Sequence, residues 1–258
     1  MEVCVSRVCL KKTEDVADTA TVSDAIDDIF RKLRFNLSKN ADIIVKPNIA
    51  TAKVGGGVTT HPDVLECILA FLHRKGFKNV RVAESSWKGC RTENAFLTYK
   101  LHQICSRYGY EAVNLEKNAY DVRNGIRIFR DVLECDYIIN VPVLKEHRMA
   151  RVSLGMKNMK GCIPDVEKVR FHVTGLHDHI FKLNRVITPD LTVMDAICGL
   201  RGGPFSGEVF SVGMIIASYD VVALDCFACS LLGIQPENVK HIRKAIENAL
   251  GSRRYEIV

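Results

Sequence analysis

Three kinds of side chain that suit chemistry on an anion stand in short motifs along this sequence: lysines, histidines and asparagines. Ammonium groups attract carboxylates and phosphates, imidazoles exchange protons near neutral pH, and amides supply uncharged hydrogen bonds. The predicted catalytic residues are His61, Lys145, His147 and His172. The predicted substrate-binding residues are Lys46, Asn48, Thr59, Thr60, Glu84, Ser85, Asn140, Lys157, Asn158, Lys160 and Asp195. This set predicts an enzyme for a small carboxylate-type metabolite. The alternative is a non-catalytic module that binds a metabolite or a redox partner.

A basic segment supports the choice of an anionic ligand. Between Lys145 and Arg170 the sequence contains seven lysines or arginines and three acidic residues. Basic side chains beside a cleft attract carboxylates and phosphates. The alternative is a solvated basic face without a ligand, and the sequence leaves both interpretations open.

A glycine-rich loop, Gly55-Gly56-Gly57, leads through Thr59 and Thr60 to His61-Pro62 at the start of a predicted helix. Free backbone N–H groups at a helix N-terminus attract anions. The Walker A pattern is absent, and a simple helix cap by Thr60 or His61 is the alternative. Glu84-Ser85-Ser86 is likewise either an acid–nucleophile pair or a capping turn. Without a Gly-x-Ser-x-Gly elbow, a serine hydrolase is not expected.

The elements that must position these residues alternate between strand-like and helix-like patterns. Short apolar runs such as 42–46 and 137–143 are typical of buried strands, and amphipathic runs such as 62–75 are typical of helices. The alternation predicts an α/β fold: a mainly parallel, Rossmann-like sheet with helices on both faces, in a single domain over 1–258. The polar stretch at about 148–187 is predicted to be an inserted lid or a small structural subdomain.

The predicted strand ends carry the candidate site residues. Ligands of parallel α/β sheets bind beyond the carboxyl ends of the strands. The strands deliver Lys46, Glu84, Lys145 and Asp195 to these ends, and the strand at 212–217 is followed by Ser218-Tyr219-Asp220. If all these strands are parallel, the residues meet at one edge of the sheet. This convergence is the main argument for a site.

Composition excludes several classes of protein. Apolar residues make up 47% of the 258 residues, which is enough for a large hydrophobic core and excludes global disorder. The formal net charge of +6 comes with no basic repeat and no zinc-finger spacing, so we do not expect nucleic acid as a partner. We see no secretory signal and no apolar run that spans a bilayer, so we expect a cytoplasmic protein without membrane attachment. The sequence carries no signal for an oligomeric state.

The ten cysteines are scattered through apolar patterns, which indicates buried thiols in a reducing compartment. Cys226 and Cys229 form a Cys-x-x-Cys inside an apolar helix pattern, with no second pair at metal-site spacing. Core packing is therefore the favoured interpretation. No ferredoxin-type cysteine run is present, so the cysteines do not identify a metal, and the metal and the cofactor stay unknown.

Six motifs in one order resemble the domain of unknown function 362 family, and the resemblance covers about 42–233. They are Lys46-Pro47-Asn48, Thr59-Thr60-His61-Pro62, the segment 140–147, Lys157-Asn158-Met159-Lys160-Gly161, Asp195-Ala196-Ile197-x-Gly199 and Ala217-Ser218-x-Asp220-x4-Asp225. Members are often described as iron–sulfur-centre proteins, because many carry an extra ferredoxin-type segment. This chain has no such segment, so the cluster is not part of what the resemblance implies here.

A more distant similarity connects the chain with the nickel-pincer lactate racemases. It lies in the segment 160–164 followed by His172, and in Thr60-His61-Pro62. The similarity implies that Lys160 and His172 contact a cofactor and that His61 transfers protons. The paired histidines that precede Gly-Gly-x-Lys in that family are missing here, and this chain is too short for a comparable second domain.

Overall fold

The computed structural model describes residues 5–13 and 19–258, and this part of the chain contains a ten-stranded sheet and a separate two-stranded hairpin. The predicted first strand, 3–10, begins outside the described residues. The strands are β1 (Ser6–Lys12), β2 (Ile43–Pro47), β3 (Val80–Glu84), β4 (Glu111–Asn114), β5 (Tyr120–Arg123), β6 (Ile126–Phe129), β7 (Tyr137–Val141), β8 (Val143–His147), β9 (Arg151–Ser153), β10 (Leu191–Arg201), β11 (Glu208–Ser218) and β12 (Tyr255–Ile257).

Helices connect most of these strands. They are α1 (Thr19–Lys32), α2 (Pro62–Arg74), α3 (Thr92–Tyr99), α4 (Leu101–Ser106), α5 (Arg130–Glu134), α6 (Gly155–Asn158), α7 (Asp165–Thr174), α8 (Leu176–Asn184), α9 (Val221–Leu231) and α10 (Lys240–Glu247). Short 3-10 turns occupy Leu115–Lys117, Met159–Cys162 and Pro236–Asn238. Local sequence sets several helix starts: Pro62 lies in the first turn of α2, and the Asp220 side chain accepts hydrogen bonds from the first backbone amides of α9.

Successive strand residues point to opposite faces of the sheet, and helices cover both faces. Ile44 joins the core formed with α8, α9 and α10, whereas Ile43 and Val45 join the core formed with α1 and α2. All three side chains are fully buried. A strand buried on both faces needs apolar side chains at successive positions, which explains the continuous Ile-Ile-Val run before Lys46. The predicted α/β fold with helices on both faces is confirmed.

Strand direction decides which residues meet at one edge. The sheet order is β12-β1-β11-β10-β7-β2-β3-β4, with β8 beside β10. Strands β10, β7, β2, β3 and β4 pair in parallel, and β8 runs parallel to β10. Strand β11 is antiparallel to both of its neighbours. The expectation that Ser218-Tyr219-Asp220 joins the other strand ends is therefore wrong, because Ser218 pairs with Thr192 at the beginning of β10.

Two predicted elements are interrupted. The helix expected over 92–108 breaks at Lys100, which has a left-handed φ of +59°. The strand expected over 137–143 stops before Pro142, which has no N–H for the ladder. The Pro142 carbonyl instead accepts a hydrogen bond from the Asp195 amide at 2.9 Å. Strand β8 then continues along β10 and carries Lys145 beyond the end of β7.

The polar segment at about 148–187 folds into β9 and the helices α6, α7 and α8. Its side chains Phe171, Ile180 and Leu183 are fully buried and join the same core as Ile44. The helices α6, α7 and α8 are too short to give a clear periodic pattern in the sequence, although their apolar side chains pack into the core. The assignment of this segment as a lid or subdomain, within a single domain, stays a prediction.

Candidate functional site

A cavity of about 510 Å³ lies at the carboxyl ends of β2, β3 and β8. Most of the predicted site residues line it: Lys46, Asn48, Glu84, Ser85, Lys145, His147, Lys157, Asn158, Lys160 and His172. The other lining residues are not among the predicted site residues: Ala50, Trp87, Lys88, Arg148, Met149, Ser153, Gly161, Lys168, Val169, Val173, Pro204 and Phe205. Residues separated by more than a hundred positions in the chain thus face one space, as parallel strands require.

A larger depression of about 790 Å³ lies against α1 and α2, away from these strand ends. Two of its three acidic side chains form exposed ion pairs, Arg74–Asp27 and Arg31–Asp28. Exposed charges of this kind interact weakly because water and salt screen them. The smaller cavity contains buried lysines and most of the predicted site residues, so it is the better candidate site.

A buried ion pair joins β2 to β3 inside the cavity wall. Lys46 Nζ donates to Glu84 Oε2 at 2.8 Å, and the two side chains are 0% and 3% exposed. Lys46 also donates to the Pro47 carbonyl at 2.7 Å, and Glu84 accepts from the backbone amides of Ile49 and Ser85 at 3.1 and 2.8 Å. A buried pair persists only when such additional bonds satisfy both charges. The pair therefore fixes the two strand ends relative to each other.

Gly161 packs directly against this ion pair. A Cβ atom at this position would lie 1.8 Å from Glu84 Oε1 and 2.6 Å from Lys46 Nζ. No side chain fits in that space, which explains why a glycine follows Lys160. The close approach holds the 3-10 turn Met159–Cys162 against the strand ends and so places Lys160 at the cavity.

Three buried asparagines form a continuous hydrogen-bond chain that begins at Lys145. Lys145 Nζ donates to Asn48 Oδ1 at 3.1 Å, and Asn48 Nδ2 donates to Asn158 Oδ1 at 2.8 Å. Asn158 Nδ2 donates to Asn140 Oδ1 at 2.8 Å, and Asn140 Nδ2 donates to the Gly155 carbonyl at 3.0 Å. The chain ties together β8, the loop after β2, α6 and β7. Asn48 and Asn158 also line the cavity, whereas Asn140 does not.

Lys145 is a buried cation without a carboxylate partner. Its side chain donates to the Val58 carbonyl at 2.6 Å, and among the described residues no acidic side chain forms an ion pair with it. Burial lowers the pKa of Lys145 to about 7, and the charge of Lys157 acts in the same direction. Both the charged and the neutral form are therefore populated at neutral pH.

Lys157 and Lys160 add two more lysines to the same space. Lys160 Nζ lies 2.9 Å from His172 Nε2. Burial, followed by the charge of Lys46, lowers the pKa of Lys157 to about 8. Burial, followed by the charges of Lys157 and Lys168, lowers the pKa of Lys160 to about 6. Neither lysine forms an ion pair with an acid in the part of the chain that the structure describes.

Two imidazoles, His147 and His172, stack at the cavity with ring centroids 6.5 Å apart. His147 Nδ1 accepts hydrogen bonds from the amides of Met149 and Ala150 at 3.2 and 3.1 Å, so its ring proton lies on Nε2. Burial, followed by the charge of Lys160, lowers the pKa of His172 to about 4. Burial and the neighbouring lysines lower the pKa of His147 still further. Both rings are therefore neutral at pH 7.

Lys168 is a cavity residue that the sequence did not single out. From α7 its ammonium donates to the carbonyls of Ser85 and Ser86 at 3.1 and 2.7 Å, and to the Ser85 hydroxyl. It also forms ion pairs with Glu116 at 2.9 Å and Asp165 at 3.2 Å. Ser85 lies 83 positions earlier in the chain, so no local pattern signals this contact. The only sequence signal was the basic composition of the segment.

Thr59 and Thr60 lie outside the cavity lining and hold the glycine-rich loop. Thr59 Oγ1 accepts from the Gly55 amide at 2.9 Å and donates to the Lys53 carbonyl at 2.9 Å. Thr60 Oγ1 donates to the Val141 carbonyl at 2.7 Å. Both hydroxyls are thus engaged within the protein, and the predicted role of these residues in substrate binding stays a prediction.

His61 and Asp195 also lie outside the cavity lining. The expectation that Asp195 follows the end of its strand is wrong, because β10 continues to Arg201. The His61 amide donates to Asp195 Oδ2 at 2.8 Å, and Asp195 Oδ1 accepts from the Ile197 amide at 3.2 Å. His61 is the N-cap residue of α2, and its Nδ1 accepts from the Asp63 amide at 3.3 Å. Burial raises the pKa of Asp195. His61 therefore caps α2, as the alternative interpretation expected, and its role in proton transfer stays a prediction.

The described residues do not assemble a metal site. Among them, no three histidine, cysteine, aspartate or glutamate side chains group closely enough to hold a metal ion. Cys226 and Cys229 are buried in α9, and burial raises the pKa of Cys226 to about 12. A cysteine binds a metal as the thiolate, and burial in an apolar helix disfavours this charged form. The donor set of these residues therefore does not fit an iron–sulfur cluster.

The fold and the cavity define an α/β protein with a mainly parallel sheet and a lysine-rich cavity at its strand ends. The chain matches the family described as domain of unknown function (DUF362) over residues 43–230, well over half of its length. It belongs to this family, as its six ordered motifs indicate.

A relative from a cyanobacterium gives a further comparison. The chain is 27% identical over 220 residues to the thylakoid-associated protein sll1697 of Synechocystis sp., and the match covers 79% of this chain and 67% of that protein. Among the described helices, none combines the length and the apolar character needed to cross a lipid bilayer. The distant similarity to lactate racemases stays a prediction.

Proposed function

We propose that the protein binds a small metabolite carrying a carboxylate or phosphate group in the lysine-rich cavity. The observation that carries this proposal is that Lys145, Lys157 and Lys160 share one cavity without an ion-pair partner among the described residues. Clustered cations removed from water are costly unless an opposite charge accompanies them. An anionic ligand supplies that charge.

Anion binding is expected to be coupled to proton uptake. The pKa values of Lys145 and Lys160 are lowered to about 7 and about 6 when no ligand is present. A nearby negative charge favours the protonated amines and raises both pKa values. The free energy of binding therefore includes the protonation of these amines, and binding weakens as the pH rises above neutrality.

Thermal unfolding with phosphate and with simple carboxylates tests the binding. At a ligand concentration 100 times the Kd, stabilisation is about 2.7 kcal/mol, which corresponds to several degrees in Tm for a chain of this size. The variant Lys157→Met removes a cavity cation, and Lys182→Met is a matched control on the exposed face of α8. We expect stabilisation of wild type and Lys182→Met and its loss in Lys157→Met. Equal stabilisation of all three proteins would falsify the proposed site.

Proton transfer is the chemistry that the cavity supports best, and it would make the protein an enzyme. Lys160 and His172 lie within hydrogen-bond distance of each other, and lowered pKa values leave both mainly neutral at pH 7. The fraction of Lys160 that stays unprotonated in the complex accepts a proton from a C–H or O–H bond next to the bound carboxylate, and the protonated lysines beside it stabilise the developing negative charge. His147 is the second imidazole within reach of the same space.

Deuterium exchange distinguishes this enzyme from a binding module that leaves its ligand unchanged. Carboxylic acids that stabilise the protein are incubated with it in D₂O, and deuterium at the carbon next to the carboxylate is followed by NMR. We expect exchange with wild type and at least a hundredfold slower exchange with Lys160→Gln. Stabilisation without any exchange would favour the non-catalytic alternative, which the dense internal bonding of Asn48 and Asn158 also supports.

Two further expectations belong to this proposal. Buried thiols such as Cys105 and Cys162 support a reducing, cytoplasmic location. The basic side chains of Lys145 and Lys157 line a cavity instead of an exposed stripe, which supports a small anion and not nucleic acid as the ligand.

A further inference from the structure

Apolar side chains also line the cavity, and anion binding by its lysines does not require them. The side chains of Trp87, Met149, Val169, Val173 and Phe205 surround it, and this group is named the apolar rim. Trp87 is 47% exposed, Met149 56% and Val173 78%. Single exposed apolar side chains are ordinary on a protein surface, but several around one cavity mark a binding surface.

The two aromatic rings of the apolar rim are held in place. Trp87 follows β3, and its backbone amide donates to the Ala50 carbonyl at 3.1 Å. Its ring lies directly over Gly89, where a Cβ atom would approach ring atoms to 2.4 Å. Phe205 lies on the loop between β10 and β11, and its carbonyl accepts from Lys53 Nζ at 2.9 Å. The ring centroids of Trp87 and Phe205 are 5.8 Å apart, so the loops present a continuous aromatic surface.

The valines of the apolar rim come from one face of α7. Val169 and Val173 are four residues apart, so they lie one above the other on the helix. Phe171 of the same helix is fully buried and anchors the opposite side. This helix also carries Lys168 and His172, which line the lysine-rich part of the cavity. One helix therefore presents cationic and apolar groups to the same space.

We infer that the ligand is an amphiphilic acid, with a carboxylate or phosphate head among the lysines and a hydrocarbon or aromatic body against the apolar rim. The inference rests on the proposed function, because it extends the anion-binding site to a substrate class. The cavity volume of about 510 Å³ falls in the range of sites for whole organic ligands and far exceeds a bare phosphate or acetate. A small polar acid bound among the lysines would not cover the apolar rim, whose side chains would stay exposed to water.

Affinity should therefore grow with the apolar part of the ligand. Each methylene group that leaves water for the apolar rim tightens binding about fourfold. Phenyl phosphate should bind at least tenfold more tightly than inorganic phosphate, and phenylacetate at least tenfold more tightly than acetate. Trp87 is the single tryptophan of the chain, so its fluorescence reports directly on the apolar rim.

The experiment titrates the full chain with these two pairs of probes, using tryptophan fluorescence and calorimetry. A tenfold or larger ratio in either pair, together with a change in Trp87 emission, supports the inference. In Trp87→Ala the calorimetric ratio should fall by at least threefold. Tyr120→Ala removes an aromatic ring that is 46% exposed on the β5–β6 hairpin, outside the cavity, and should keep the wild-type ratio.

The outcomes separate this inference from the proposed function. If phosphate and phenyl phosphate bind with equal affinity and Lys157→Met abolishes both, anion binding stands and the amphiphilic ligand is overturned. If none of the four probes binds, both proposals fail together. Binding to phosphatidylglycerol vesicles without binding of any soluble probe would also overturn the inference, because a membrane surface and not a single ligand would then occupy the apolar rim.

Discussion

The ammonium nitrogen of Lys160 lies 2.9 Å from Nε2 of His172, so an amine and an imidazole share one hydrogen bond at the edge of the cavity. Lys160 comes from the 3-10 turn Met159–Cys162, and His172 comes from α7. Two cationic groups do not remain this close, and the pKa values of both are lowered. Both groups are therefore mainly neutral at pH 7. Either of them can take up a proton when an anionic ligand binds nearby.

The first prediction concerns the reactivity of Lys160. Because its pKa is lowered to about 6, its amine is mostly unprotonated at pH 7, whereas an ordinary lysine is almost fully charged. Trinitrobenzenesulfonate at pH 7 should modify Lys160 at least tenfold faster than the exposed Lys182, as measured by peptide mass spectrometry. Saturating phosphate should suppress the reaction, because the anion raises the pKa and blocks access. A Lys160 rate that rises only above pH 9 would contradict the neutral pair.

The second prediction concerns the pH dependence of stability. Lys157 has a lowered pKa of about 8 in the folded protein and binds a proton up to about pH 10.4 when unfolded. Between these two values the unfolded state holds more protons, so the contribution of Lys157 to the free energy of unfolding rises with pH and is least favourable below pH 8. Lys157→Met should therefore stabilise the unliganded protein at pH 7 and lose this advantage by pH 10.

The measurement is chemical denaturation of wild type and Lys157→Met at several pH values. Taking the difference between the two proteins cancels the contributions of the cysteines and tyrosines that titrate in the same range. Lys182→Met serves as the matched control and should differ from wild type by the same amount at every pH. A constant difference for Lys157→Met as well would show that Lys157 is not held at a lowered pKa.

The third prediction concerns Gly161. In Gly161→Ala the new methyl group collides with Glu84 Oε1 and Lys46 Nζ and separates the buried ion pair. Breaking a buried pair costs about 3–5 kcal/mol. Gly56→Ala is the control, because Gly56 has a positive φ but nothing near its Cβ position, and this change should cost about 1–2 kcal/mol. Equal losses in the two variants, measured by urea denaturation, would argue against the close packing of Gly161.

The fourth prediction concerns Asp225 as a positioning residue. Its two carboxylate oxygens accept from the amides of Gly155 and Met156 at 2.7 and 3.0 Å, which anchors α6 and the Lys157 and Asn158 side chains that it carries. Asp225→Asn places a donor against one of these amides and should cost about 1–3 kcal/mol. Anion affinity should also fall, because α6 is no longer held.

The matched control for Asp225 is Asp24→Asn, an exposed position on α1 far from the cavity. Urea denaturation and phosphate titration should leave this control within about 0.5 kcal/mol of wild type. If Asp225→Asn loses stability but keeps its full affinity for phosphate, Asp225 supports the fold alone and α6 does not depend on it for its position.

The sequence by itself determined the α/β class and placed Lys46 and Glu84 at the ends of their strands. Short apolar runs that alternate with amphipathic helix patterns indicate strands buried on both faces, so the polar residues that end such runs, such as Lys46 and Glu84, are expected at one edge. The sequence also shows a glycine after Lys160 within a family motif, but not that this glycine packs against the Lys46–Glu84 ion pair. These features depend on local patterning, which is read directly from neighbouring residues.

Only the tertiary structure decided strand direction and the partners of each side chain. Strand β11 has the same kind of apolar run as β10, yet it runs the opposite way and removes Ser218 from the site. Lys168 reaches Ser85 across 83 residues, and Trp87 meets Phe205 from a different loop. Such contacts arise from the packing of distant segments and leave no trace in local spacing, which is why the apolar rim emerged only from the folded chain.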